Sequence, residues 1–404
     1  MVVDSRSQRP ICTMSVLYDL RRFFLIPGAW KLLAAMLVYG CGTGILVPMN
    51  AIYLKNGVHL SKLEISLVVS TAIIVNLSIT LASGLLSDRL RRRKPFPVVA
   101  SALCVIGLFG YDHASTFATA LVFYILATTP SGAIVGQLYA MARSHFVEEA
   151  PDIVDMALVW LRTLMSFGFF VGLLLGSALY TAISFHGVIL GNLFSYAVLF
   201  LLFLSYRERQ GTPPTKRQAG TSVNWFVLMA VLIILCSDNI RSLYFPLMVD
   251  NLYKNPVLVS HLWTVQVVFE FVWMTLGGIA AQRFGDTRVV IVAIVCSICV
   301  YLTYALHPIL PLLFGAQPIY SFFVSVENTV AMGMIQRMFL HRSGFGSSLY
   351  FVLSQAASFI GYMIPNVIPG LSPHIFFIPS VLSCGALLLL AFQAHRVRQQ
   401  LERA

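Results

Sequence analysis

The sequence predicts an all-α integral membrane protein with twelve transmembrane helices in two six-helix bundles. Three observations predict this fold class: the composition, the placement of the basic residues and an internal repeat. Of the 404 residues, 58% are hydrophobic and 11% are charged, and the mean hydropathy is +0.82. Soluble proteins carry about 25% charged residues, so this composition excludes a water-soluble enzyme.

Twelve apolar runs are long enough to cross a bilayer, which takes about 20 residues per helix. The predicted spans of the first half are 30–54, 64–86, 95–113, 117–141, 155–182 and 186–206. Those of the second half are 223–249, 258–281, 288–307, 312–338, 346–370 and 374–394. The remaining chain is too short for a nucleotide-binding domain or a second soluble module.

These spans divide the chain into a cytoplasmic N-terminal segment, a first bundle, a cytoplasmic linker, a second bundle and a cytoplasmic tail. The five segments are 1–29, 30–206, 207–222, 223–395 and 396–404. The linker is polar and contains Gly211, Pro213 and Pro214, a composition that favours a flexible connection.

The basic residues predict the orientation. Most of the 27 Lys and Arg residues fall in segments on one side of the predicted membrane, and only Lys55, Lys62 and Lys254 fall in loops on the other side. The positive-inside rule makes the basic side cytoplasmic, together with both termini. The formal net charge of +11 is therefore a signal of topology, and we expect no nucleic-acid partner.

Three landmarks recur at an offset of 194 residues. The pairs are Gly84 with Gly278, Arg89 with Arg283, and Arg143 with Arg337. Such a repeat predicts two halves descended from one six-helix unit, which rock about a central site.

Charged residues inside the spans are the sharpest functional signal, because an ionised group at mid-membrane costs at least ~2.5–3.5 kcal/mol. Asp238 and Arg241 are three residues apart, close enough to pair on one helix face. Glu270 has no cation within one helical turn, which suits a group that binds and releases a proton. We predict Glu270, Asp238 and Glu327 as candidate proton-coupling residues. The alternative for each acid is a buried structural pair.

Neutral polar residues in the spans form a possible sugar-binding set, since hydroxyl-rich ligands need groups that both donate and accept hydrogen bonds. The candidate substrate-binding residues are Arg162, Asn50, Asn76, Gln137, Asn239, Gln355 and Trp273. The alternative is that the amides only join helices.

The stretch GLLSDRLRRR at 84–93 resembles the loop motif G-x-L-x-D-R-x-G-R-R of the major facilitator superfamily. Asp88 can accept hydrogen bonds from helix N-termini or from an Arg of the other bundle, so contacts here would hold the cytoplasmic side shut in one state. The candidate gating residues are Gly84, Asp88, Arg89, Arg143, Arg283 and Arg337. The alternative is a plain basic loop that sets topology.

Similarity to the bacterial sugar efflux transporter family of that superfamily is densest in three places. They are QLYAMAR at 137–143 followed by LRTLMS at 161–166, FE at 269–270 followed by LGG and QRFG, and FPL at 245–247. The resemblance implies the major facilitator fold, with proton-coupled efflux of sugars or glycosides by alternating access. It also supports Arg162 and Glu270 as functional residues. We expect a multi-pass monomer in the bacterial inner membrane, with no cofactor and no metal.

Two alternatives stay open. Asp238 stands where the family pattern has an amide, and Asp238-Asn239 with Glu327 resembles multidrug–proton antiporters that export lipophilic cations. A non-transporting membrane receptor or scaffold is the second alternative. The sequence contains no GxxxxGK[ST], HExxH or GxSxG motif, so we expect no enzyme activity.

Overall fold

The computed structural model describes residues 26–89, 93–150, 154–208, 224–306, 308–338 and 343–403. These ranges fold almost entirely into helices, and no β-strand occurs within them. The prediction of an all-α protein is confirmed for this part of the chain.

Six helices make up the first half. They are α1 Ala29–Asn56, α2 Lys62–Arg89, α3 Pro95–Asp112, α4 Phe117–Thr128, α5 Ser131–Glu149 and α6 Val154–Ser205. Helix α6 is kinked at Ile183 and Ser184, where φ is −139° and 57°. This kink coincides with the predicted boundary between the spans 155–182 and 186–206.

Seven helices make up the second half. They are α7 Trp225–Tyr253, α8 Val257–Phe284, α9 Asp286–Leu306, α10 Leu310–Val326, α11 Met332–Met338, α12 Ser343–Met363 and α13 Phe377–Arg403. A π-helical turn, Glu327–Ala331, joins α10 to α11. Two short 3₁₀ turns, Ile364–Val367 and Pro373–Phe376, lie between α12 and α13.

Within the described ranges, nine helical segments are long and apolar enough to cross a membrane. The protein is therefore a multi-pass membrane protein. The kinked α6 counts once among the nine although it contains two predicted spans, and the predicted total of twelve stays a prediction.

The central helices are α1 and α7. In the most apolar window of each, 61% of the residues are buried, against 33% for α2 and α8. Helix α1 packs along α6 within the first half and meets α7 of the second half, while α2 contacts α12 and α6 contacts α8. The two halves therefore face each other across an interface formed by these helices.

Glycines let α1 and α6 approach with backbone against backbone. A Cβ atom added to Gly172 would lie 2.1 Å from the carbonyl oxygen of Cys41, and one added to Gly44 would lie 2.2 Å from that of Phe169. Gly40 and Gly168 face equally close carbonyls. Any larger residue would force these two helices apart.

The halves are joined at the end where α1 and α7 finish. The Lys55 ammonium lies 2.9 Å from Oδ2 of Asp250, which also accepts a hydrogen bond of 3.0 Å from the Asn56 amide. Asn56 and Asp250 are separated by 194 residues, the offset of the sequence repeat. Contact between equivalent positions of two repeats is expected on a pseudo-two-fold axis.

Further bonds join α2 to the second half at the same end. The Lys62 ammonium donates to the carbonyl oxygens of Pro365 and Ile368 at 2.6 and 2.7 Å, where it neutralises the negative end of a helix. The hydroxyls of Ser66 and Tyr244 are 2.8 Å apart. We call these bonds, together with those to Asp250, the closed-end contacts.

Candidate functional site

A cavity of about 280 Å³ lies between the two halves. Helices α1 and α6 line it from the first half, and α7, α8 and α10 line it from the second. Its lining includes two acidic residues, Asp238 and Glu270, and one basic residue, Arg241. We call this cavity the ionic lobe.

Asp238 is held in place by a neighbouring helix. Its carboxylate is half-buried and accepts a hydrogen bond from the Tyr320 hydroxyl of α10. Its negative charge also interacts with Arg241, one turn further along α7.

Arg241 is only 3% exposed, and aromatic rings surround its guanidinium group. The guanidinium carbon lies 4.3 Å from the ring centre of Tyr320, 4.5 Å from that of Phe245 and 5.4 Å from that of Trp263. One of its nitrogens donates to Oε1 of Gln317 at 2.8 Å. The cation is therefore stabilised by rings and an amide oxygen.

Asp238 and Arg241 do not form the direct ion pair that their spacing on one helix face allows. Both side chains belong to the described part of the chain, and they form no ion pair within 4 Å there. The reason is that the Arg241 guanidinium contacts Gln317 and the aromatic rings, while the Asp238 carboxylate accepts a hydrogen bond from Tyr320. Sequence spacing could not show this, since the competing partners come from α8 and α10.

Glu270 lines the ionic lobe from α8 and is half-buried. Its carboxylate makes no hydrogen bond and no ion pair with the residues that the structure describes. It interacts electrostatically with Asp238, Arg162 and Arg241. Of the lobe's two acids, Glu270 is thus the one without a hydrogen-bonding partner.

Glu327 is the most deeply buried of the three candidate acids, with 4% of its surface exposed. It opens the π-helical turn, and its Oε1 has no hydrogen-bond partner among the described residues. Its charge interacts with Asp238 and Glu270, which groups the three acids. Glu327 is not among the described residues that line the ionic lobe. Its position in a π-helical turn nevertheless suits a functional residue, because such turns are frequent at functional sites.

A second cavity, of about 250 Å³, adjoins the ionic lobe at Tyr39 and Thr43, which line both. Two of the predicted substrate-binding residues, Asn76 and Gln355, line this second cavity. The described residues around it include no charged side chain. We call it the neutral lobe.

Asn192, Tyr124 and Tyr196 also line the neutral lobe, and they were not among the predicted site residues. Asn192 could have been found, because it is an amide inside the predicted span 186–206. The two tyrosines could not, since aromatic residues are common throughout membrane helices.

The other predicted substrate-binding amides are not among the described residues that line the two lobes. Asn50 accepts a hydrogen bond of 2.8 Å from the Tyr111 hydroxyl. Asn239 accepts one of 2.7 Å from Ser358 on α12, and Gln137 is buried. Such bonds are those that polar residues make between membrane helices. Substrate binding by these three residues stays a prediction.

The two remaining substrate candidates, Trp273 and Arg162, are also absent from the described lining of both lobes. The Trp273 indole nitrogen donates to the Pro318 carbonyl at 3.0 Å, which joins α8 to α10. Arg162 is exposed on α6 and interacts electrostatically with Glu270 and Tyr139. Arg162 therefore brings a positive charge of the first half toward an acid of the second.

The candidate gating residues are only partly described. Arg143 and Arg283 are exposed on α5 and α8. The surroundings of Gly84 and the side chains of Asp88, Arg89 and Arg337 lie outside the described part of the structure. The gating roles of all six residues stay predictions.

Comparison with known proteins identifies the family. A sequence model of the Major Facilitator Superfamily matches residues 32–234. A Deinococcus radiodurans protein named "Putative sugar efflux transporter" is 22% identical over 380 residues, which cover 91% of this chain and 97% of that protein.

Solved structures share the fold. The crystal structure of nucleoside transporter NupG matches with a TM-score of 0.74 and 15% identity, over 90% of this chain and 98% of that one. A peptide transporter POT structure matches with a TM-score of 0.76 and 11% identity, over 91% and 94% of the two chains. Identities this low show the fold alone. The chain belongs to the Major Facilitator Superfamily, as a membrane transport protein related to sugar efflux transporters.

Proposed function

We propose that the chain exports sugars or glycosides across the bacterial inner membrane in exchange for protons. In this proposal twelve helices form two six-helix bundles, which give alternating access to the cavity between them. Both termini lie in the cytoplasm, and a monomer is sufficient, with no cofactor or metal.

The observation that supports proton coupling most is the absence of a direct partner for the Glu270 carboxylate among the described residues. Its carboxylate faces a cavity between the halves without a hydrogen bond or ion pair to the described residues. A buried charge without a direct partner is costly, so proton binding changes the energy of this site strongly. Asp238 differs, because the Tyr320 hydroxyl already satisfies part of its hydrogen-bonding capacity.

Proton binding would act by shifting a conformational equilibrium. The ionised Glu270 is attracted to Arg162 on the first half and to Arg241 on the second. Protonation removes both attractions, which favours a different arrangement of the halves. Glu327, grouped with the other two acids, is the alternative coupling residue.

The closed-end contacts support alternating access. In the predicted orientation they lie on the outer side, so the structure corresponds to a state closed to the outside. Export requires them to break while the cytoplasmic side closes through the predicted gating residues.

The test is proton movement that depends on substrate. Purified protein in vesicles containing a pH-sensitive dye should give a proton flux when lactose is added across the membrane, and no flux when ethidium is added. The opposite pattern would replace the sugar proposal with the drug proposal below. No flux with either would favour a receptor or scaffold.

The second candidate function is export of lipophilic cations in exchange for protons. It is favoured by the apolar lining of the ionic lobe, where Trp263, Phe169 and Phe271 lie beside two carboxylates. Aromatic faces and acids together suit a lipophilic cation. The vesicle experiment distinguishes the two functions directly.

A further inference from the structure

The neutral lobe contains polar groups suited to an uncharged ligand. Its described lining has no charged residue but includes three tyrosines and three amide side chains, namely Tyr39, Tyr124, Tyr196, Asn76, Asn192 and Gln355. Amide and hydroxyl groups both donate and accept hydrogen bonds, as the hydroxyls of a sugar ring also do.

Two of these amides have hydrogen-bonding capacity to spare. Asn192 is 3% exposed, and its Nδ2 donates to the Gly42 carbonyl at 2.5 Å. Its Oδ1 has no partner among the described residues. A buried amide oxygen without a partner costs about 1–3 kcal/mol, so a ligand hydroxyl that donates to it would be favoured.

Gln355 approaches the same lobe from the second half. It is half-buried on α12 and makes no hydrogen bond within the described part of the chain. A ligand bonded to both Gln355 and Asn192 would contact both halves. Binding would then depend on their relative position, as alternating access requires.

The size of the lobe limits the ligand. Small-molecule sites enclose about 300–1,000 Å³, and at about 250 Å³ the neutral lobe lies just below this range. The lobe therefore suits one sugar ring, such as a single ring of a disaccharide like lactose, rather than several rings together. Aromatic rings beside the amides provide apolar faces for the carbon atoms of such a ring.

We infer that the neutral lobe is the substrate subsite, which takes one uncharged, polyhydroxylated ring of the sugar, and that two candidate proton-coupling acids, Asp238 and Glu270, occupy the adjoining ionic lobe. The inference rests on the proposed sugar export and adds the location and charge of the substrate. It assigns the recognising contacts to Asn192 and Gln355, with Tyr39 and Thr43 at the junction of the two lobes.

The test compares matched glutamine substitutions in the two lobes. Gln355→Leu removes an amide from the neutral lobe, and Gln266→Leu removes one from the ionic lobe. Equilibrium binding of radiolabelled lactose to purified protein should weaken about tenfold in Gln355→Leu, the effect of one lost hydrogen bond. Binding to Gln266→Leu should stay within about twofold of the unsubstituted protein.

Asn192→Leu should weaken binding to a similar degree, but it also removes the bond to Gly42 and could prevent folding. Gln355 makes no hydrogen bond within the described part of the chain, so Gln355→Leu removes no structural bond and is the decisive variant. Weakening only in Gln266→Leu, or equally in both glutamine variants, would overturn the separation of the lobes.

Two controls complete the design. Glucose should displace bound lactose while glucuronate should not, because the neutral lobe offers no counter-charge among its described residues. Equal displacement by both would contradict the inference.

If the unsubstituted protein binds no sugar at all, the proposed sugar export itself fails. Unchanged lactose binding in Gln355→Leu is a different result, because it overturns only the assignment of the substrate to the neutral lobe.

Discussion

Arg241 shows how much of the ionic lobe depends on one side chain. Its guanidinium contacts three aromatic rings from three helices and a glutamine from α10. These contacts are possible because a guanidinium is planar and weakly hydrated, whereas an ammonium is a compact, strongly hydrated charge. Arg241 therefore positions the aromatic wall of the lobe and also contributes charge to it.

We predict that Arg241→Lys lowers the thermal stability of the purified protein. The expected loss is about 1–2 kcal/mol, which corresponds to one desolvated cation–π arrangement. The apparent melting temperature in detergent measures it. Arg162→Lys is the matched control, because Arg162 is exposed and should tolerate the change. Equal melting temperatures for the two variants would contradict the role of the rings.

The sequence was sufficient to predict which charged residues lie inside the spans, but it could not predict which residues contact them. Asp238, Glu270 and Glu327 stand out because each interrupts an apolar run. The partners of Arg241 do not stand out, since the chain contains 29 Phe and 16 Tyr residues. Which rings meet the guanidinium is decided by packing between helices distant in sequence.

The helix pair α1 and α6 is held more firmly than the segment from α10 to α11. Helices α1 and α6 are in backbone contact through Gly44 and Gly172, so they should move as one body. The segment from α10 to α11 is interrupted by the π turn at Glu327, which leaves a local departure from regular helix beside the acids. We expect rearrangement in the second half to concentrate there.

Gly172→Ala should lower both the yield of folded protein and its melting temperature. The added methyl would lie 2.1 Å from the Cys41 carbonyl oxygen, which no side-chain movement can relieve. Gly136→Ala is the control, because its methyl would meet nothing within 4 Å. There the usual preference of helices for alanine applies, worth roughly 0.5–1 kcal/mol. Similar behaviour of both variants would show that α1 and α6 are not in close contact.

The nine apolar segments found in the described ranges were predictable because membrane helices need long apolar runs, and the kink in α6 coincides with a predicted boundary. The π turn was not predictable, since 312–338 is as apolar as a regular span. The sequence shows a row of glycines at Gly168, Gly172 and Gly176, but such a row does not identify the helix that packs against it.

The whole molecule is held at one end by the closed-end contacts. Asp250 is buried and accepts from both Lys55 and Asn56. Removing one partner of a buried ion pair costs about 3–5 kcal/mol, because the other charge is left uncompensated. The population of the closed state should therefore be sensitive to this pair.

We predict that Lys55→Ala opens this end more often. A cysteine introduced at Ser242, which lines the ionic lobe, should react faster with an impermeant thiol reagent from the outside. The measurement needs a background without the native cysteines. The exchanged pair Lys55→Asp with Asp250→Lys should restore the slower rate. An unchanged rate in Lys55→Ala would show that the pair does not hold the end shut.

The sequence could not indicate which end is closed. A transporter's sequence must stabilise both arrangements, so motifs for each are present together. Asn56 and Asp250 are separated by the repeat offset of 194 residues, but their contact was not among the predictions, and only the structure reveals it.

The proposed exchange of sugar for protons depends most on Glu270, and transport by Glu270→Gln in vesicles tests this most directly. Sugar efflux driven by a pH gradient should be lost, because glutamine keeps the shape of the protonated acid and has no proton to release or take up. The same variant should bind lactose with near-normal affinity. Gradient-driven efflux at the normal rate in Glu270→Gln would contradict the account.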